Sequence, residues 1–259
     1  LSALIAAQLR ERRRSLLSWG LPIGAWSAFV VAIYPSVEAA LTKAVRSYPS
    51  ALKQAFGIGE LSTVEQYLHA EMLSLIVPLA VGYLAVRSTA SGLSGAAESG
   101  RLDVLLSAPV SRRRIVTACF CACAIELAAI LAVSLILALL GSLLSGADLS
   151  FSAALAGFAN VWPLGLLAGG LGIVVTGISL RTSIVTGSVA GVLVGMYVLD
   201  LVGRLDPSLD GLRYASVFRY YGRAVENGID PLAFLGVTVA AVALAAAGAT
   251  LFQRRDLLS

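Results

Sequence analysis

Charge is what this sequence has least of: Asp, Glu, Lys and Arg together make 13% of its 259 residues, against 58% hydrophobic residues and a mean hydropathy of +0.86. Soluble domains carry about 25% charged residues, so a water-soluble globular fold is excluded and an integral membrane protein is indicated. Histidine occurs once, as His69, at the outer edge of an apolar run. A lone imidazole there reads as an interfacial side chain rather than a metal ligand or a base. The three cysteines, Cys119, Cys121 and Cys123, fall inside one apolar run. They offer no disulfide framework and no second ligand pair for a metal, and they read as small apolar packers. Both lysines, Lys43 and Lys53, lie outside any Gly-Lys-Ser/Thr, so the phosphate-binding loop of a nucleotide hydrolase is absent. Gly92-Leu93-Ser94-Gly95 has the look of an intramembrane serine protease motif, but no histidine follows Ser94. No catalytic constellation is legible, and a transporter component is expected rather than an enzyme.

The apolar runs mark six spans, at 16–33, 72–89, 115–144, 153–180, 184–202 and 231–252. Each reaches the roughly 18–20 residues that cross a ~30 Å hydrocarbon core. The expected fold is an all-α membrane protein, a single permease domain over 1–259. Residues 34–70 and 203–230 are external segments, the latter with short helices. Residues 1–15 mix Leu1, Leu4, Ile5 and Leu9 on one helical face with Arg10, Arg12, Arg13 and Arg14, although Arg12 intrudes on the apolar face. They read as an N-terminal interfacial amphipathic helix with its arginines at the lipid headgroups, the alternative being a solvated basic tail. Five comparable runs follow the first, which disfavours a cleaved signal peptide.

The pI near 9.2 would suggest nucleic acid in a soluble chain. Here the cations cluster at the ends of apolar runs, the pattern that sets membrane orientation, so no nucleic-acid partner is expected. With six spans, twelve of the nineteen basic residues fall on the side of the termini: Arg10, Arg12, Arg13, Arg14, Arg87, Arg101, Arg112, Arg113, Arg114, Arg181, Arg254 and Arg255. That places both termini in the cytoplasm and the chain in the cytoplasmic membrane.

Three features stand out from this frame. Gly187, Gly191 and Gly195 form a small-residue stripe on the fifth span, suited to close helix packing within the chain or with a second copy. Gly165 and Gly169 make a weaker one on the fourth. Glu126 lies inside the third span, where a carboxylate costs roughly 2.5–3.5 kcal/mol on insertion scales. It reads either as a substrate- or proton-handling group or as a glutamic acid hydrogen-bonded to a neighbouring helix. The third feature is the polar segment 90–114. In it Leu102, Leu105 and Leu106 fall on one helical face, Pro109 ends that helix, and Ser111 is placed to cap the next.

The pattern Glu98, Gly100, Leu102, Leu105, Leu106, Pro109, Ser111 and Arg112 resembles the cytoplasmic loop between the second and third spans of ABC transporter permeases of the ABC-2 type. The ending Phe252-Gln-Arg-Arg-Asp-Leu257 and the run Ser216-Val-Phe-Arg-Tyr-Tyr221 are similar to that family as well, although proline is commoner where Val217 stands. The resemblance implies six spans led by an amphipathic helix. It implies a second permease subunit, identical or homologous, docked through the first and fifth spans. Two cytoplasmic ATPase subunits, binding ATP and Mg2+, would receive 98–112 as a coupling helix; this chain itself would carry no cofactor. The expected cargo is drugs, antibiotics or other hydrophobic compounds. The competing reading is a proton-coupled secondary transporter using Glu126, for which an inverted repeat would be support, and none is evident.

Overall fold

The computed structural model describes residues 1–46, 63–98 and 111–254. Among them there is no strand. The helices are α1 (Ser2–Arg46), α2 (Val64–Leu68), α3 (Ile76–Glu98), α4 (Arg112–Ser145), α5 (Phe151–Ile178), α6 (Thr182–Leu205), α7 (Val217–Tyr221), α8 (Ala224–Asn227) and α9 (Pro231–Arg254). A π-helical turn, His69–Leu73, precedes α3, and a 3-10 helix, Pro207–Ala215, follows α6. Six helices are long and apolar enough to cross a membrane: α1 through Ala40, α3 through Ala96, and all of α4, α5, α6 and α9.

Boundaries differ from expectation at three places, one of them the far end of α1, which continues to Arg46 through residues 34–46 expected in the external segment. The interfacial segment 1–15 and the span 16–33 form one helix of 45 residues with no break between them. At 1.5 Å per residue that helix is about 68 Å long, so it continues beyond a ~30 Å core. Nothing from Arg10 to Trp19 would break a helix: the residues are Arg, Glu, Ser, Leu and Trp, with neither Gly nor Pro. Arg12, moreover, is turned into the bundle and fixes the first turns against α3 and α4. The second span runs on to Glu98 instead of ending near Thr89. Its last turns have something to bury, since Leu93 and Ala96 pack with Ile115, Val116 and Cys119 of α4.

Small residues set the packing. Along the α1–α4 seam, a side chain at Gly141 would strike the backbone of Ala28, and one at Gly24 would meet Leu137. The most enclosed span is α5, with α3 and α4 on one side and α9 on the other. Its glycines are what admit these neighbours. Gly165 faces Val81 and Leu127, Gly169 faces Thr89, Ala85 and Cys123, and Gly170 faces the Ala241 backbone. Gly177 and Gly248 interleave where α5 and α9 cross. This is the packing of helices that gain no hydrophobic burial from one another in lipid. The weaker stripe of the fourth span is thus spent inside the chain.

One end of the bundle gathers Glu98, Thr182, Arg113 and Gln253. The opposite end gathers Glu65, Ser150, Asn160, Tyr221 and the segment after α6. There Val217, Phe218, Ala224 and Val225 are buried, so the short helices α7 and α8 close that end of the bundle.

Candidate functional site

Glu126, on α4, is 2% exposed and is held by donors from two other helices. The Ser88 hydroxyl of α3 donates to its Oε2 at 2.7 Å, and Nη1 of Arg12 on α1 approaches the same oxygen at 3.5 Å. Arg12 is itself 8% exposed. Its Nη2 donates to Gln8 Oε1 at 2.9 Å and to the Ser88 carbonyl at 3.0 Å, and lies 3.3 Å from Cys119 Sγ. Both of these contacts to Glu126 come from a donor, the arrangement a carboxylate requires. The intrusion of Arg12 on the apolar face of residues 1–15 now has its reason: it is the partner of the buried charge, not a headgroup cation. Gly92 makes room for it, since a side chain there would run into Cys119 Sγ and the Arg12 guanidinium.

Beside this pair a cavity of about 660 Å³ opens between residues 8–19 of α1 and residues 84–92 in the middle of α3, walled by Arg10, Arg13, Arg14, Arg87, Trp19 and Leu84.

Of the segment resembling a coupling helix, Glu98, Ser111 and Arg112 are described, while Gly100, Leu102, Leu105, Leu106 and Pro109 lie outside the described residues. The Glu98 carboxylate accepts both the backbone N–H and the hydroxyl of Thr182, each at 2.9 Å. It thereby caps α6, whose N-cap residue Arg181 supplies no side-chain acceptor. Ser111 does sit at the N-cap of α4 in extended backbone, but its hydroxyl makes no capping hydrogen bond. Arg112 donates to the Gln253 carbonyl at 3.5 Å and Arg113 to Gln253 Oε1 at 2.8 Å, tying the start of α4 to the end of α9.

Gly187, Gly191 and Gly195 are exposed, and a side chain added at any of them would meet nothing within 4 Å. Among the described residues, then, the stripe packs against no other helix of this chain. Neighbouring Val192, Val194 and Val198 on α6 are exposed with it. Cys119 and Cys123 are buried and Cys121 is half-buried, all as free thiols. Among the described residues no group of three His, Cys, Asp or Glu side chains stands close enough to hold a metal.

Sequence reasoning missed a second polar cluster, at the opposite end. Asp200, the one carboxylate on α6, is fully buried. It pairs with Arg204 one turn on and accepts from Arg213 Nε at 2.9 Å. Asp210 then accepts from Arg213 at 2.9 Å and from Arg219 at 3.2 Å. The Arg213 hydrogen bond holds the Asp210 carboxyl below its ordinary range. The i, i+4 spacing of Asp200 and Arg204 was the one readable signal.

His69 lies against this cluster, 6% exposed. Burial first, then the charges of Arg223 and Arg204, push its pKa from 6.5 down to about 4. The folded protein therefore keeps His69 neutral while an unfolded chain would protonate it, so stability is lost as pH falls from about 6.5 toward 4. By pH 4 the loss from this one group is about 3 kcal/mol. A His69→Gln variant should match the parent at pH 7.5 and outlast it at pH 4.5 in detergent melting curves. Parallel pH profiles for the two would contradict the role.

Residues 1–253 match the family model for the C-terminal domain of the multidrug efflux system permease Rv1217c. No curated protein matches the chain.

Proposed function

The chain belongs to the family of that permease domain, a family of ABC transporter permeases, and from this premise we propose that it is the membrane-spanning part of an ATP-driven exporter. It is a multi-pass membrane protein and an efflux permease domain. In our reading it works as a dimer, identical or homologous, on separate ATPase subunits that bind ATP and Mg2+. Its termini face the cytoplasm with those subunits, and its cargo is drugs, antibiotics or other hydrophobic compounds.

The observation that carries this reading is the double hydrogen bond from Thr182 to Glu98. Residues 99–110 are joined covalently to α3 and α4, and through Glu98 they are joined to α6 as well. A partner that seizes this segment therefore has three spans in hand. Closure of an ATPase pair below them can shift the bundle between two arrangements, provided the partner binds one arrangement better than the other. Glu126, by contrast, is engaged by Arg12 and Ser88 from two other helices, which gives it a task in holding α1, α3 and α4 together. That weighs against a proton-coupled transporter built on it.

Affinity purification from the native membrane in mild detergent tests the proposal. A stoichiometric nucleotide-binding subunit should accompany the chain, with ATPase activity stimulated by hydrophobic cargo. A homogeneous preparation that transports without any ATPase would overturn it.

The dimer makes a separate prediction. The open glycine stripe on α6 is a surface on which a second helix can approach closely. Gly191→Leu should raise the dimer dissociation constant at least ~10-fold by light scattering in detergent, the equivalent of about 1.4 kcal/mol. An unchanged particle mass would remove the stripe from the interface.

A further inference from the structure

The cavity beside Arg12 has a charge pattern that neither efflux nor topology requires. Five arginines line it, Arg10, Arg12, Arg13, Arg14 and Arg87, with two acids, Glu11 and Glu126. Arg12 is paired with Glu126, and Arg10, Arg13, Arg14, Arg87 and Glu11 complete the charged lining of a space of about 660 Å³. Orientation alone would be served by arginines pointing anywhere into the headgroup layer. Here they line one concave space from two helices, α1 and α3, with Ser15, Ser18, Ser88 and Ser91 between them. A group that accepts several charge-assisted hydrogen bonds at once, as a phosphate does from guanidinium forks, fits such walls.

The cavity is also amphipathic. Trp19 and Leu84 form its apolar side, and on α1 the chain just beyond the arginines exposes Leu17 and Leu21, at 63% and 50%. An occupant can thus hold its charged end among the arginines and lay a hydrocarbon end along the outside of the bundle. The volume lies within the range of small-molecule sites.

We infer that this cavity is a binding site for a phosphate-bearing anion, with an anionic phospholipid of the surrounding leaflet as the occupant its apolar side favours. A phosphate bound there would bridge α1 to Arg87 of α3, and so hold the first turns of α1 against the helix that leads into residues 99–110. The inference stands on the cavity and its charges and is independent of how transport is powered.

Native mass spectrometry of the full permease, with whatever subunits accompany it, tests this using phosphatidylglycerol and phosphatidylcholine as probes. Phosphatidylglycerol should be retained at least ~10-fold better. Arg13 and Arg87 are exposed, so Arg13→Gln with Arg87→Gln should leave the melting temperature alone. It should weaken phosphatidylglycerol retention about 30-fold, from roughly fivefold per cation near an anionic surface. Arg254→Gln, an exposed cation outside the cavity, should retain the lipid like the parent. Glycerol phosphate in millimolar excess then distinguishes the source. If it fails to displace the lipid, the occupant is the phospholipid held by its tail as well. If it displaces the lipid fully, the site takes phosphate from either side of the interface. Equal retention of the two lipids, an unaffected double variant, or an Arg254→Gln variant as impaired as the double one would overturn the site.

Discussion

Arg12→Met should destabilise the protein by about 3–5 kcal/mol, the usual cost of leaving one member of a buried ion pair without its partner. Glu126 would then be a carboxylate 2% exposed within a membrane helix, keeping only the Ser88 hydroxyl of the two donors that reach it. Glu126→Met should be comparably harmful, since Arg12 would keep Gln8 and the Ser88 carbonyl but lose its counter-charge. The double variant, Arg12→Met with Glu126→Met, should recover most of the loss, because two flexible apolar side chains of similar volume fill the space with no charge to desolvate. Detergent melting curves of the four proteins form a double-mutant cycle, whose coupling term should be several kcal/mol. Additive losses would mean that the pair does not act as a unit. Transport by the same four proteins separates the two uses of Glu126. If the carboxylate only fastens α1 to α3 and α4, the double variant should export. If it handles a proton or cargo, the double variant should be stable and silent.

That pair shows where the sequence could be read and where it could not. Six spans were legible because each is a run of apolar residues long enough to cross a bilayer, a property that depends on no other part of the chain. Glu126 was legible as costly for the same reason. Its partner was not, since 114 residues separate it from Arg12 and only the fold brings them together. The clue was local and negative: one arginine stood on the wrong face of an otherwise amphipathic segment. The uninterrupted α1 follows from it, for a helix broken at residue 15 has no reason to bury Arg12. The resemblance marked Glu98 as part of a recurring pattern but could not show that it caps α6. That bond exists only because Thr182 opens a helix whose own N-cap residue is an arginine. The Asp200 cluster was hidden differently. Its arginines, Arg204, Arg213 and Arg219, fall among the seven basic residues left to the external side, and only the Asp200–Arg204 spacing hints that two aspartates gather them.

The segment 99–110 carries the last large effect. Leu105→Asp together with Leu106→Asp should abolish transport while insertion, dimer mass and melting temperature stay as in the parent. These leucines lie outside the described residues, and the expectation rests on what flanks them. One end of the segment is anchored at Glu98, which caps α6. The other enters α4 beside Arg112 and Arg113, which grip Gln253 of α9. The segment is thus tied, directly or through one contact, to α3, α4, α6 and α9, and under the proposed function Leu105 and Leu106 are the anchors offered to a partner. Anchors of that kind contribute about 2 kcal/mol or more each at the centre of a protein interface. Replacing both with carboxylates should therefore weaken partner binding on the order of a thousandfold. The ATPase subunit should be lost from the purified complex, and ATP-driven uptake of cargo into inverted vesicles should fall to the level of vesicles without the permease. The substitution Glu98→Gln should do something milder and different. An amide in place of the carboxylate keeps an acceptor oxygen for Thr182 but loses the charge, so the partner should still co-purify while ATP hydrolysis runs with less export per ATP. A double-aspartate variant that still exports would sink the coupling role of the leucines. A Glu98→Gln variant with an unchanged ratio of export to hydrolysis would show that the link to α6 carries no motion.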